Sequence, residues 1–288
     1  MRLGRLSVLA LVLVWPAQPA HAYVRATVDD IPGGTPLYWT PSSIEMRLAS
    51  TSIPGVDPAD ARPAFQSSLR AWSRAGGCTR IVLLDGGEVT GLSTNLQRTA
   101  VDMENRIVFR ASDWPAELGP ETLALTSTVY RRSSGEILDA DIDMNAVDHV
   151  WSAETPPLTG HDDVQNTLTH ELGHVLGFGH TDVRDATMYA SAALEETSKR
   201  DLAEDDINAL CDVYPGGSGG VRSSCAAQPR GASTSDLWLV AGALSLSLVT
   251  IRRRRSRCVR FPEPRTPIRS RETTVSPSLN RFRGPPAR

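Results

Sequence analysis

The stretch that most constrains this chain runs from His170 to His180 and reads HELGHVLGFGH. His170 and His174 are four residues apart, so on an α-helix both imidazoles leave one face about a turn apart and can reach a single metal ion. Glu171, beside His170, is not needed as a ligand, which frees its carboxylate to take a proton from a water polarised by that metal. Gly177 stands where the helix would otherwise continue. Glycine tolerates positive φ and ends helices readily, so the chain can turn there and bring His180 back as a third imidazole. Three neutral imidazoles with a fourth position left to water describe a catalytic zinc site rather than a structural one. One catalytic zinc ion is therefore expected.

The full spacing H-E-x-x-H-x-x-G-x-x-H resembles the metzincin signature, which leads into a turn carrying a methionine. Met188 lies eight residues past His180, in the run Ala186-Thr187-Met188-Tyr189-Ala190. In that family the methionine is an apolar floor beneath the three imidazoles, and a buried core methionine describes it equally well.

The two ends of the chain read differently from its middle. Arg2 and Arg5, the apolar run Leu6 to Val14 and Ala20-His21-Ala22 make residues 1–22 a secretory signal, so the mature chain is expected to begin at Tyr23. The formal charge of −3 hides an asymmetry: residues 252–288 carry a net +10 and residues 1–251 carry −13. The basic residues sit in a tail and not on the folded part, so no nucleic-acid partner is expected. Residues 216–236 open on a GGSGG run and read as a flexible linker. The apolar run 237–251 is shorter than a comfortable spanning helix, but the arginine block that follows favours a membrane segment over a buried helix. Cys225, the polar spacer, the apolar run and Arg252–Arg255 together resemble the sorting tails of myxobacterial surface proteins, which implies an anchoring or processing role for Cys225. The Arg- and Pro-rich tail 252–288 departs from such proteins and is expected to be disordered.

Between these ends the hydrophobic patterning alternates between two periods. Strands are expected in Thr35–Ser50, at Ile81–Leu84, at Arg106–Arg110, and as a pair at Leu123–Tyr130 and Glu136–Met144. A loop is expected over Gly86–Gln97. A helix capped by Asp60 is expected to bury Ala64, Leu69, Ala71 and Trp72, and another begins near Asp162-Asp163 with the stripe Val164, Leu168, Leu172, Val175 and Leu176. A last helix runs from about Leu202 to Val213. In the strand from Glu136, the alternation of Ile142 and Met144 with Asp139, Asp141 and Asp143 predicts one buried face and one acidic face. Hard carboxylate oxygens suit calcium, but a solvated strand face is the reading preferred for these three aspartates. Cys78 and Cys211 end regions expected to pack together, and an exported chain permits a disulfide between them; a zinc-blocking role for Cys78 is the lesser alternative.

This order is α+β. Trp39, the strand from Gly135 to Asn145, the helix bearing the histidines and LAEDDINALCDVY (Leu202 to Tyr214) resemble the matrixin branch of the metzincins across roughly Trp39 to Tyr214. The resemblance implies a metzincin fold over residues 23–215: a twisted, mostly parallel five-stranded sheet, an active-site helix and a small C-terminal subdomain after Gly177. It implies a cleft bordered by the strand from Glu136, where extended peptide is held by backbone hydrogen bonds. It also implies that one of Asp205 and Asp206 pairs with a new N-terminal ammonium, with helix capping as the alternative.

Three departures from that family stand out. Residues 23–37 hold no cysteine to block the metal, so latency by such a segment is not expected. Only His149 and His161 are at hand for the second, structural zinc of animal matrixins, so that site is not expected either. Ala190 takes the place of a proline, which alters the wall beyond the methionine. The sequence reading is thus a secreted or surface-anchored bacterial zinc endopeptidase acting as a monomer on polypeptides. A catalytically inactive metzincin-fold adhesion protein and a zinc exopeptidase are the alternatives.

Overall fold

The computed structural model describes residues 22–49, 53–73, 75, 77–97, 102–216 and 278–284. Residues 1–21 of the expected signal 1–22, Cys225, the apolar run 237–251 and most of the basic tail lie outside the described residues. In chain order the elements are β1 (Val24–Arg25), β2 (Ser43–Ala49), α1 (Pro58–Ser73), β3 (Val82–Val89), β4 (Asn105–Arg110), β5 (Thr122–Arg131) and β6 (Glu136–Asn145). They continue with β7 (Trp151–Ser152), β8 (Asp162–Asp163), α2 (Val164–Val175), β9 (Phe178–Gly179), α3 (Glu204–Val213) and β10 (Ser278–Arg283).

The main sheet has six strands in the order β10-β5-β6-β4-β2-β3. The four strands β3, β2, β4 and β6 are parallel, β5 runs antiparallel to β6, and β10 runs antiparallel to β5. Five strands were expected; the sixth comes from the C-terminal tail, where disorder was expected. The cleft border also needs correcting. The strand from Glu136 is β6, enclosed between β5 and β4, so it borders no cleft; β5 lies beyond it, with its far edge taken by β10. Sequence order gave no hint of this, because β5 and β6 form a hairpin and either could have been outermost.

Two helices cover one face of the sheet. Phe65, Leu69 and Trp72 of α1 meet Leu168, Leu172 and Val175 of α2 and Met46, Ile107, Ile142 and Met144 of the sheet, all within one buried cluster. Each such side chain contributes about 1.5–3 kcal/mol on leaving water. Asp57, rather than Asp60, caps α1: its Oδ1 accepts from the Ala59 amide at 2.8 Å. Ala71 is only partly buried. β3 continues through Gly86-Gly87 to Val89, beyond the expected loop boundary, and exposes Val82 and Leu84 because it is the outermost strand on its side.

The opposite face of β6 overturns the solvated reading of its aspartates, since Asp139, Asp141 and Asp143 are each fully buried. The connection between β3 and β4 folds over them. Asp141 accepts from the amides of Asn95 and Arg106, both at 2.7 Å. Asp143 accepts from Thr94 Oγ1 at 2.9 Å and from Arg110 Nε at 2.7 Å. A carboxylate can be buried when donors and an opposite charge replace its water. Two of the three aspartates are thereby engaged in cross-linking a loop to the sheet.

Candidate metal centre

The helix α2 starts on Asp163, whose Oδ1 accepts from the Asn166 amide at 2.7 Å, and it is buried along nearly its whole length. Its last carbonyls would be orphaned inside the protein without partners. Trp39 Nε1 donates to Val175 O at 2.7 Å, and Tyr214 Oη donates to Leu176 O at 2.7 Å. Gly177 ends the helix at φ +84°, and a Cβ there would stand 2.7 Å from Leu37 O. The chain then reverses through β9, which pairs with β1, and presents His180.

This path brings the three histidines together. The Nε2 atoms of His170, His174 and His180 form a triangle with sides of 3.1, 3.1 and 3.2 Å. Ligands bound tetrahedrally to one zinc at about 2.0–2.1 Å stand roughly 3.3–3.4 Å apart, so the donor set fits that ion. On His170 and His174 the other ring nitrogen is committed elsewhere: His170 Nδ1 donates to Thr187 O at 2.6 Å and His174 Nδ1 to Phe178 O at 2.7 Å. These bonds fix the tautomers, leaving the Nε2 lone pairs convergent. Burial drives the pKa of His170 and His174 well below the ordinary value, with the neighbouring imidazoles adding to it, and burial lowers His180 to about 4. All three are neutral at pH 7, as metal ligation requires.

Glu171 is fully buried behind the triad. Its Oε2 accepts from Thr126 Oγ1 on β5, while its Oε1 has no hydrogen-bond partner among the described residues. Burial pushes the carboxyl up to about 8, with the Thr126 bond opposing the shift. A cation at the neighbouring triad would favour the ionised carboxylate and pull its pKa back down.

Met188 lies in a turn closed by a bond from the Tyr189 amide to Ala186 O at 3.1 Å. A Cβ added at Gly173 would stand 2.1 Å from Met188 Sδ and 2.8 Å from the Trp72 ring. Gly173 therefore seats the methionine against the helix between the two ligands, a role the sequence reading missed. An interior helix glycine, which costs about 1 kcal/mol against alanine, was the available signal.

Asp206 was also read too narrowly. Its carboxylate accepts from the amides of Thr187 and Met188 at 2.8 and 3.1 Å, and from Ala203 at 2.9 Å. It thus caps α3 and holds the methionine turn, whose Thr187 carbonyl orients His170.

The remaining candidates fall into place around this centre. Cys78 and Cys211 are joined as a disulfide, with a Cα–Cα distance of 5.3 Å. His149 sits between Asp162 Oδ2 at 2.8 Å and Pro120 O at 2.9 Å, and His161 Nδ1 donates to Thr159 O at 3.0 Å, so the two are engaged separately. Tyr189 carries Lys199 Nζ over its ring at 5.9 Å. None of the described helices is long and apolar enough to cross a membrane.

Residues 101–215, which contain β4 to α3 and the whole triad, match the family model described as Matrixin. Over 105 residues the chain is 32% identical to Metalloendoproteinase 5-MMP of Arabidopsis thaliana, covering 35% of this chain and 29% of that protein. It is 37% identical over 71 residues to Metalloendoproteinase 1 of Glycine max, covering 23% of each chain. With neutrophil collagenase of Homo sapiens it shares 40% identity over 65 residues, 23% of this chain and 13% of that one. The chain spans less than a third of the length of these relatives. The similarity to matrixins thus falls on the part of the chain that carries the triad.

Proposed function

We propose that residues 23–215 are a zinc-dependent endopeptidase. The observation that carries this is the convergence of three neutral Nε2 donors beside a buried glutamate with one free carboxylate oxygen. Zinc held by His170, His174 and His180 would supply Lewis acidity to the attacking water and to the scissile carbonyl. Glu171 does the proton work: Thr126 fixes one of its oxygens, so the other is aimed as the base that takes the water's proton and returns it to the departing amine. An extended substrate would pair with the edge of β5 that β10 takes in this structure, and that open-ended mode of capture favours internal cleavage over exopeptidase action. In the same reading the protein acts outside the cytoplasm, exported by residues 1–22, with Cys225 or the run 237–251 as its attachment.

The test uses the chain from Tyr23, loaded with zinc, on a quenched random-peptide pool with and without a chelator. Internal cleavage is expected; it stops on chelation and falls about 10³-fold in Glu171→Ala, the scale of a lost general base. If the zinc-loaded chain cuts nothing, or the variant cuts as fast, the catalytic reading fails and the inactive adhesion protein takes its place.

A further inference from the structure

The outer strand of a sheet offers unpaired backbone groups, and on β5 these are already taken by β10. Residues 278–282 pair antiparallel with β5, from Ser278 opposite Thr128 to Phe282 opposite Ala124. The segment is held on its other side as well. The Arg283 amide donates to Ala190 O at 3.3 Å, and Arg283 O accepts from the Ala192 amide at 3.2 Å, in the wall just past Met188. The Gly284 amide donates to Glu121 O at 2.7 Å. An extended strand gripped by backbone on both sides is how a cleft holds a peptide whatever its sequence.

One side chain adds selectivity. Phe282 is fully buried, its ring stacked on His170 at a centroid distance of 3.9 Å and lying 5.8 Å from Lys199 Nζ. Cationic groups and π faces attract at such distances, and burial takes the aromatic ring out of water. The amides after Phe282 are tied to the wall and to Glu121. The one before it, between Arg281 and Phe282, is flanked along the strand by Phe282, stacked on His170, and on the other side by Arg281 and then Asn280, which stands opposite Thr126, the residue that holds Glu171.

We propose that residues 278–284 are an internal occupant of the cleft, presented as a substrate with the Arg281–Phe282 bond at the metal centre. Resting on the endopeptidase reading, the inference deepens it in two ways. The pocket beside His170 prefers an aromatic side chain on the amine side of the scissile bond, and the tail competes with other substrates until it is cut. In the cut, the Arg281 C–Phe282 N bond breaks and the water oxygen joins the Arg281 carbonyl carbon. Its protons pass through Glu171 to the Phe282 nitrogen, leaving a new carboxylate at Arg281 and a new amine at Phe282. A single membrane crossing at 237–251 would place the tail on the far side from the cleft, so the proposal concerns a chain not threaded in that way.

The experiment separates occupancy from catalysis. In the full chain carrying Glu171→Ala, a fluorescein-labelled peptide of residues 275–286 is titrated with and without Phe282→Ala in the chain. Removing the internal Phe282 is expected to tighten peptide binding at least tenfold, read by anisotropy. In the zinc-loaded chain with Glu171 intact, mass spectrometry is expected to find a fragment beginning at Phe282, and Phe282→Ala to slow its release. Equal peptide binding by the two chains, or tail cleavage at another bond, overturns the proposal even if added peptides are cut. Absence of all hydrolysis beside tighter binding overturns the endopeptidase reading and the cut, and leaves the occupancy standing.

Discussion

The sheet above the cleft and the segment below it, after Gly177, hold their shape by different means. Above, strand ladders and a shared apolar cluster distribute the stabilisation over many residues. Below, from Phe178 to Gly216, α3 is the only α-helix and β9 a two-residue strand. There the backbone is pinned by individual contacts: the Cys78–Cys211 disulfide, Asp206 on three amides, Asn166 Oδ1 accepting from the Lys199 amide at 2.8 Å, and Tyr214 on Leu176 O. A ladder loses one rung when a residue changes, whereas a pin has no neighbour to take its load. Two of the supports of the metal centre, the Thr187 and Phe178 carbonyls, belong to the pinned region.

That contrast can be broken by experiment. The disulfide closes a sequence separation of 133 residues. Replacing Cys78 and Cys211 together by serine is expected to cost about 2–5 kcal/mol in denaturant unfolding, chiefly because the unfolded chain gains freedom. A loss within error would mean that the lower segment is not held by this link. Asp206→Asn comes next. It leaves the volume unchanged but removes one carboxylate oxygen from a cluster of buried amide donors, an expected loss of about 1–3 kcal/mol. Because Asp206 holds the turn whose Thr187 carbonyl orients His170, zinc affinity should fall as well, about 10–100-fold by competition with a chromogenic chelator. Stability lost with unchanged zinc affinity would show that the turn does not govern the imidazole.

How much of this was legible in the sequence follows the range of each interaction. The convergence of the three histidines was readable because an i,i+4 pair and a glycine turn fix their relation over eleven residues. The stripe on α2 was readable for the same reason. What covers a strand face was not: alternation separates the two faces of β6, but Thr94, Asn95 and Arg110, which turn its acidic face into interior, lie far off in the chain. Nor was the identity of the outer strand, since sheet order is set by pairing across the whole domain. The tail's composition predicted disorder, and only the open edge of β5 gives residues 278–283 a reason to become a strand.

The smallest expected effect lies in the sheet itself and tests whether its acidic face is truly interior. Burial, with the charge of Asp139 adding to it, pushes Asp141 up to about 8, and burial lifts Asp139 to about 6. A carboxyl whose folded pKa lies above its unfolded value, about 3.9, keeps a proton that the unfolded chain releases. Its folding contribution is complete below about pH 4 and is lost as pH rises towards 8. The histidines act in the opposite sense and in a lower window: His180, held near 4 against an unfolded 6.5, favours unfolding as pH falls through that interval, and His170 and His174 are lowered in the same direction. Asp141→Asn removes Asp141's share of the first effect and leaves that of Asp139 and the second effect in place. In thermal unfolding of the metal-free chain, the variant should melt at or below the unsubstituted protein at pH 5, where it gives up one hydrogen bond. It should gain steadily on it towards pH 8, by a few degrees. A difference that stays constant from pH 5 to pH 8 would mean that Asp141 titrates as it does in water. The β3–β4 connection would then be a loose cover, and the contrast between a buffered sheet and a pinned lower segment would lose its upper half.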